Sequence, residues 1–205
     1  SSIRKTNIPK PKSCGPKHRS KKRCWSSKFQ DPGAVTRRRS HRSPARDKIS
    51  PVRILGIDPG IERTGWAVID ANRGASQALA YDCIITKRGL PLEVRLVTIF
   101  TSLRRIIKAH KPREAAIEKL YFSANIKTAL TVGHARGVVL LALALDNLPV
   151  YHYNPLEIKL AVSGYGRADK LQVKKMVNFL LHLDEKLKID DVSDALAVAL
   201  THAAI

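Results

Sequence analysis

Hydrophobic and polar positions divide the chain into two unlike stretches that meet near Pro51. Beyond that point VRILGID is a short apolar run ending in Asp58-Pro59-Gly60, the pattern of a buried strand that enters a turn. TGWAVID and ALAYDCIIT follow, separated by Asn72-Arg73-Gly74, and predict two more strands joined to the first as a meander. From Leu92 to His110 the apolar residues recur at helical spacing, and the pattern stops before Pro112. AAIEK predicts a strand, the stretch from Ala124 to Leu145 a long helix, and PVYHY another short strand. Helices are expected over 155–161, over 170–182 and from Asp191 onward, where Ala195, Leu196, Val198, Ala199 and Leu200 supply an apolar stripe. Three strands in a row, then strands alternating with helices, predict an α/β domain: a mixed sheet, three strands antiparallel and the rest parallel, flanked by helices.

Charge separates the two stretches further. Residues 1–50 carry 16 basic and 2 acidic side chains; residues 51–205 carry 21 and 15. The first stretch also holds many Ser and Pro and few large apolar residues, so it cannot bury enough surface to offset its ordering entropy. It is expected to be a disordered extension: a basic arm, an organelle transit peptide, or a leader outside the working protein. The folded domain is expected to span residues 51–205. Surplus Lys and Arg suit a polyanionic partner, although charge alone also suits membranes or acidic proteins. Cys14, Cys24 and Cys83 form neither a disulfide framework nor a short-spaced zinc motif, and no apolar run reaches transmembrane length. No membrane association is expected.

Acidic residues stand at positions an ordinary core would avoid. Asp58 ends one apolar strand and Glu118 another, while Asp191 and Asp194 open the last helix. A carboxylate near a core is costly unless it is paired, hydrogen-bonded or bound to a cation. The spacing of Asp191 and Asp194 puts both on one helix face. Each acid alone has an ordinary explanation: a cap for Asp190 or Asp191, a salt bridge for Glu118, a turn residue for Asp58. Together, in a basic domain, they make a set of hard oxygen donors suited to magnesium or manganese. Two such ions about 3.5–4 Å apart would clamp a scissile phosphate, which points to phosphodiester hydrolysis.

Four segments in order, ILGIDPGIERTGWAVI, AAIEKLYFSANIKTALTVGHARGVV, PLEIKLAVSGYGRADKLQV and DDVSDALAVALTHA, resemble the successive signatures of the RuvC-type Holliday junction resolvases. The resemblance runs from about Val52 to the end of the chain and implies a ribonuclease-H-like fold. It places Asp58, Glu118, Asp191 and Asp194 at the family's four catalytic, metal-binding positions, with Asp190 as a neighbouring register. Tyr121 stands where the family stacks an aromatic on a base, and Phe122 follows it. Lys159 and Lys170 match basic positions near the DNA, and Arg167 adds charge to the loop between them. The resemblance also implies two Mg2+ per site with Mn2+ as substitute, four-way junction DNA as substrate, a homodimer built on the helix containing Gly133, Ala135 and Gly137, a branch-migration motor as partner, and a bacterial-type cytoplasmic location. An organellar location follows instead if residues 1–50 are a transit peptide. The three residues of that helix are further expected to mark close helix packing.

Three other readings compete. One is a ribonuclease-H-like enzyme acting on RNA or an RNA–DNA hybrid, which differs in substrate rather than chemistry. Another is a junction-binding protein without catalysis, which would show a lost acid; none is lost. The third takes DPGIERTGWAV as the phosphate loop of an actin-like ATPase, but about 155 residues cannot supply the duplicated domain such proteins need.

Overall fold

The structure is a computed structural model, and it describes residues 50–72, 74–119, 126–183 and 189–205. The expected basic extension, together with Tyr121 and Phe122, lies outside the described residues.

Strands β1 (Val52–Asp58), β2 (Arg63–Asn72) and β3 (Ala75–Ile85) form the antiparallel meander. Helix α1 (Leu92–His110) keeps the predicted bounds, because Lys111 closes its last turn in the left-handed region at φ 50° just ahead of Pro112. Then come β4 (Glu114–Glu118), α2 (Ile126–Leu145), β5 (Val150–Tyr153), α3 (Pro155–Ser163), α4 (Lys170–Leu180) and α5 (Asp190–Ala203). The sheet order is β3-β2-β1-β4-β5, with β1, β4 and β5 mutually parallel, so the mixed sheet forms as predicted.

Helix ends differ by a residue or two from the apolar pattern because capping sets them. Asn154 caps α3 reciprocally with Glu157, Pro155 takes the first helical position, and Gly164 at φ 70° ends the helix at Ser163. Asp169 and Gln172 cap α4 in the same way. The sheet is covered on both faces. Leu55, Ile57, Val68, Ile84 and Ile117 pack toward α1 and α2, whereas Ile54, Ala67, Ile69 and Ala116 pack toward α3, α4 and α5. Each fully buried Leu or Ile contributes about 1.5–3 kcal/mol, so the two cores specify strand register as well as stability.

Two glycines bring α5 against the sheet. A Cβ on Gly56 would sit 2.1 Å from the Ala195 carbonyl oxygen, and one on Gly65 would sit 1.9 Å from that of Asp191. Only glycine permits this approach, and it fixes the height of the first turn of α5 over β1 and β2. The expectation of close helix packing at Gly133 and Gly137 does not hold within the chain. Ala135 is buried, but a Cβ on either glycine would meet nothing within 4 Å, because both lie away from the sheet.

Candidate active site

Strand parity delivers the acids. In β1, Leu55 and Ile57 point toward α1 and α2, so Asp58 points to the α5 side; in β4, Ala115 and Ile117 do likewise, which sends Glu118 the same way. Ile57 pairs with Ile117, so the two acids end neighbouring parallel strands, where α/β sheets form their ligand crevices. Asp191 and Asp194 project from the first turns of α5, which Gly65 holds against β2.

Electrostatics shows how these groups meet. Burial pushes the Asp58 carboxyl up to about 7, and repulsion from Asp194, Glu118 and Asp191 adds to the shift. Burial also raises Glu118, with Asp194 as the next cause. Asp194 is raised by burial too, against the opposing hydrogen bond from Lys170. The field extends to the buried thiol of Cys83, which burial and then Asp191 hold at about 11, leaving it protonated and unreactive at neutral pH.

Cations already touch the cluster. Lys170 Nζ lies 3.0 Å from an Asp194 oxygen and 3.8 Å from Asp190. Its position is informative: Lys170 is the first residue of α4, where the helix dipole disfavours a cation. Burial works against its charge, but the bond to Asp194 and the surrounding acids outweigh it and raise its pKa. Asp190 faces outward, tied to Lys174 at 3.1 Å and held below the usual carboxylate range, chiefly by that bond. The half-buried Lys159 acts electrostatically on Glu118, whereas Arg167 is exposed in the turn before α4.

Two side chains near the acids were not singled out in the sequence. Arg63 reaches within 3.9 Å of Asp191, and Arg136 of α2 donates to the Glu118 carbonyl oxygen and meets His152 Nδ1 at 2.9 Å. Neither has a local sequence signal, since only the packing of β2 on α5 and of α2 on β4 brings them there.

The donor set fits a hard divalent ion: four carboxylates, three of them raised by burial and mutual repulsion, with cations drawn to two. The match is one of donor type: among the described residues no three His, Cys, Asp or Glu side chains stand as a group that could hold a metal ion.

A mixed sheet with acids at the carboxyl ends of adjacent strands, closed by an acidic helix start, defines a nuclease of the ribonuclease-H-like class. The yeast mitochondrial Holliday junction resolvase shares this fold, at TM-score 0.55 and 14% identity over 77% of this chain and 82% of that one. A family model described as crossover junction endodeoxyribonuclease RuvC matches residues 54–202. Proteins of that name from Moorella thermoacetica and Brevibacillus brevis are 52% and 47% identical, each over 74% of this chain and 90% and 92% of their own. A Thermus thermophilus RuvC solved with a Holliday junction substrate superposes at TM-score 0.71 and 33% identity, covering 75% of this chain and 93% of that one. The chain belongs to the RuvC family of metal-dependent crossover junction endodeoxyribonucleases.

Proposed function

We propose that the chain resolves four-way DNA junctions, with Asp58, Glu118, Asp191 and Asp194 as the catalytic ligands of magnesium, two ions per site, and manganese as a substitute. The convergence of four acids at the carboxyl end of the parallel strands carries this reading, because burial and then the other three raise the Asp58 carboxyl to about 7. A metal held by these residues would supply positive charge that favours the ionised forms of Asp58, Glu118 and Asp194, lower the pKa of a bound water and offset charge on the leaving oxygen.

The chain's own groups orient the reaction. Asp58 and Glu118 fix the site on rigid strand ends, and Asp191 and Asp194 close it from α5. Lys170, 3.0 Å from Asp194, is placed to meet a phosphate oxygen entering the site. Water adds to phosphorus, the bond to the 3′ oxygen breaks, and the products are a 3′-hydroxyl and a 5′-phosphate. Lys159 and Arg167 contact the DNA backbone, and Tyr121 with Phe122 stack on bases near the crossover.

Two sites are needed for a two-fold substrate, and a homodimer provides them. The outer surface of α2 supports this partner: Leu130, Leu141 and Leu145 are exposed, and the space above Gly133 and Gly137 is open. The enzyme works beside a branch-migration motor in the cytoplasm of a bacterial-type cell. No helix among the described residues is long and apolar enough to cross a membrane. Residues 1–50 form a basic extension separate from the nuclease domain at 51–205.

Labelled four-way junction, linear duplex and RNA–DNA hybrid, each incubated with the protein and magnesium, test the proposal on denaturing gels. Paired symmetric nicks in the junction alone are expected. Preferential cutting of the hybrid, or junction binding without cuts, overturns it.

A further inference from the structure

An open trough of about 880 Å³ leads away from Asp191 between the β1–β2 turn and the end of β3, lined in part by Gly60, Arg63, Thr86, Lys87 and Arg88. The geometry points to Arg63 as a DNA-backbone clamp: it holds the phosphodiester next to the scissile one as the strand leaves the acids through this trough. The assignment rests on the junction-cleaving function proposed above and adds to it a residue and a path.

The mount of Arg63 is rigid. Two residues on, Gly65 touches the Asp191 carbonyl with no room for a Cβ. Thr64 is buried and donates its hydroxyl to the Gly60 carbonyl at 2.6 Å, while Thr86 donates its backbone N–H to the Glu62 carbonyl at 2.9 Å and its hydroxyl to Ile61. The side chain is nevertheless 61% exposed, and its 3.9 Å contact with Asp191 is too long for a hydrogen bond. An exposed pair of that kind adds little stability.

The charges around it favour a phosphate. Arg88 donates two N–H groups to one Glu62 oxygen at 2.9 and 2.6 Å, which neutralises that acid within the trough. Asp191 then remains as the trough's negative group, against Arg63 and the exposed Lys87. A cation taken up by the acids would satisfy Asp191 and release the Arg63 guanidinium. Its planar fork matches two phosphate oxygens, and it stands at the mouth through which the strand must pass.

Arg63→Ala and Arg63→Lys are compared in the full-length chain with all four acids intact, on a junction whose linkages at the crossover are non-hydrolysable, with affinity read by fluorescence anisotropy in magnesium and in EDTA across a salt series. In magnesium Arg63→Ala is expected to bind about tenfold more weakly, with a log–log salt slope shallower by about one. The loss should be smaller in EDTA, where Asp191 retains the guanidinium, and Arg63→Lys should keep most of the affinity. Unchanged affinity and slope in Arg63→Ala would reduce Arg63 to a placeholder for the metal and overturn the proposal. Failure of the Arg63-containing protein to bind junctions at all would overturn the function on which it rests.

Discussion

Strand β4 carries a glutamate at each end, and the two have opposite surroundings. At its start Glu114 accepts from His202 Nε2 at 2.7 Å, while the other ring nitrogen, Nδ1, meets the Tyr153 hydroxyl at 2.6 Å and Tyr151 lies over the ring. At its finish Glu118 meets Asp58 and Asp194, and among the described residues no side chain hydrogen-bonds its carboxylate. Helix α5 spans both ends, with Asp191 and Asp194 in its first turns and His202 in its last. The acids at its start match its dipole, which favours anions there. The satisfied end stabilises the fold, and the frustrated end asks for a ligand.

Asp58→Asn should change most at the frustrated end. It removes a ligand and a negative charge, so junction cleavage in magnesium should fall by about a thousandfold, while junction binding survives; single-turnover assays with a parallel binding titration check both. Retained turnover would make the acidic end as structural as the other one.

The next effect is on pH. An unfolded Asp ionises near pH 4, whereas folded Asp58 keeps its proton to about pH 7. The metal-free fold therefore has the full benefit of the protonated group below about pH 4 and loses it as pH rises through 7. Melting curves in EDTA should show Asp58→Asn gaining on the parent between about pH 4 and 7 and levelling off above, by roughly 2–4 kcal/mol at the upper end. A pH-independent difference would mean that the cluster is not frustrated.

Gly65→Ala should cost about 1–3 kcal/mol, because the added methyl meets the Asp191 carbonyl and must lift the start of α5. Cleavage should fall more steeply than chemical-denaturation stability does. Smallest is His202→Ala at the satisfied end, about 1–2 kcal/mol of stability with cleavage unchanged below the melting temperature. A large loss of activity there would join the two ends into one functional unit.

Much of this was legible in the residues. The short apolar runs VRILGID and AAIEK give two buried strands that carry Asp58 and Glu118 at or near their ends, while the shared face of the two acids follows only from the strand pairing. DDVSDALAVAL gives the i, i+3 spacing of Asp191 and Asp194 and the apolar stripe of α5. What escaped depends on contacts between distant segments. No periodicity pairs Arg63 with Asp191 or Arg136 with the Glu118 carbonyl, and none distinguishes Glu114, which finds His202, from Glu118, which does not. The glycines of α2 show a related limit: small residues signal that something approaches closely, but not whether it is another part of the same chain, and within this chain nothing lies within 4 Å of a Cβ on Gly133 or Gly137. Capping chemistry, rather than apolar spacing, settled where α3 and α4 stop.

The central claim is that the acid cluster is completed by a divalent cation, and the most direct measurement is the melting temperature as a function of magnesium at pH 8, for the parent and for Asp58→Asn. A ligand bound only by the folded state raises stability by about 2.7 kcal/mol at a hundredfold excess over its dissociation constant. The parent should climb steadily with magnesium, and the variant should start higher and respond much less. Parallel responses in the two proteins would contradict the account, because magnesium would then act somewhere other than at Asp58.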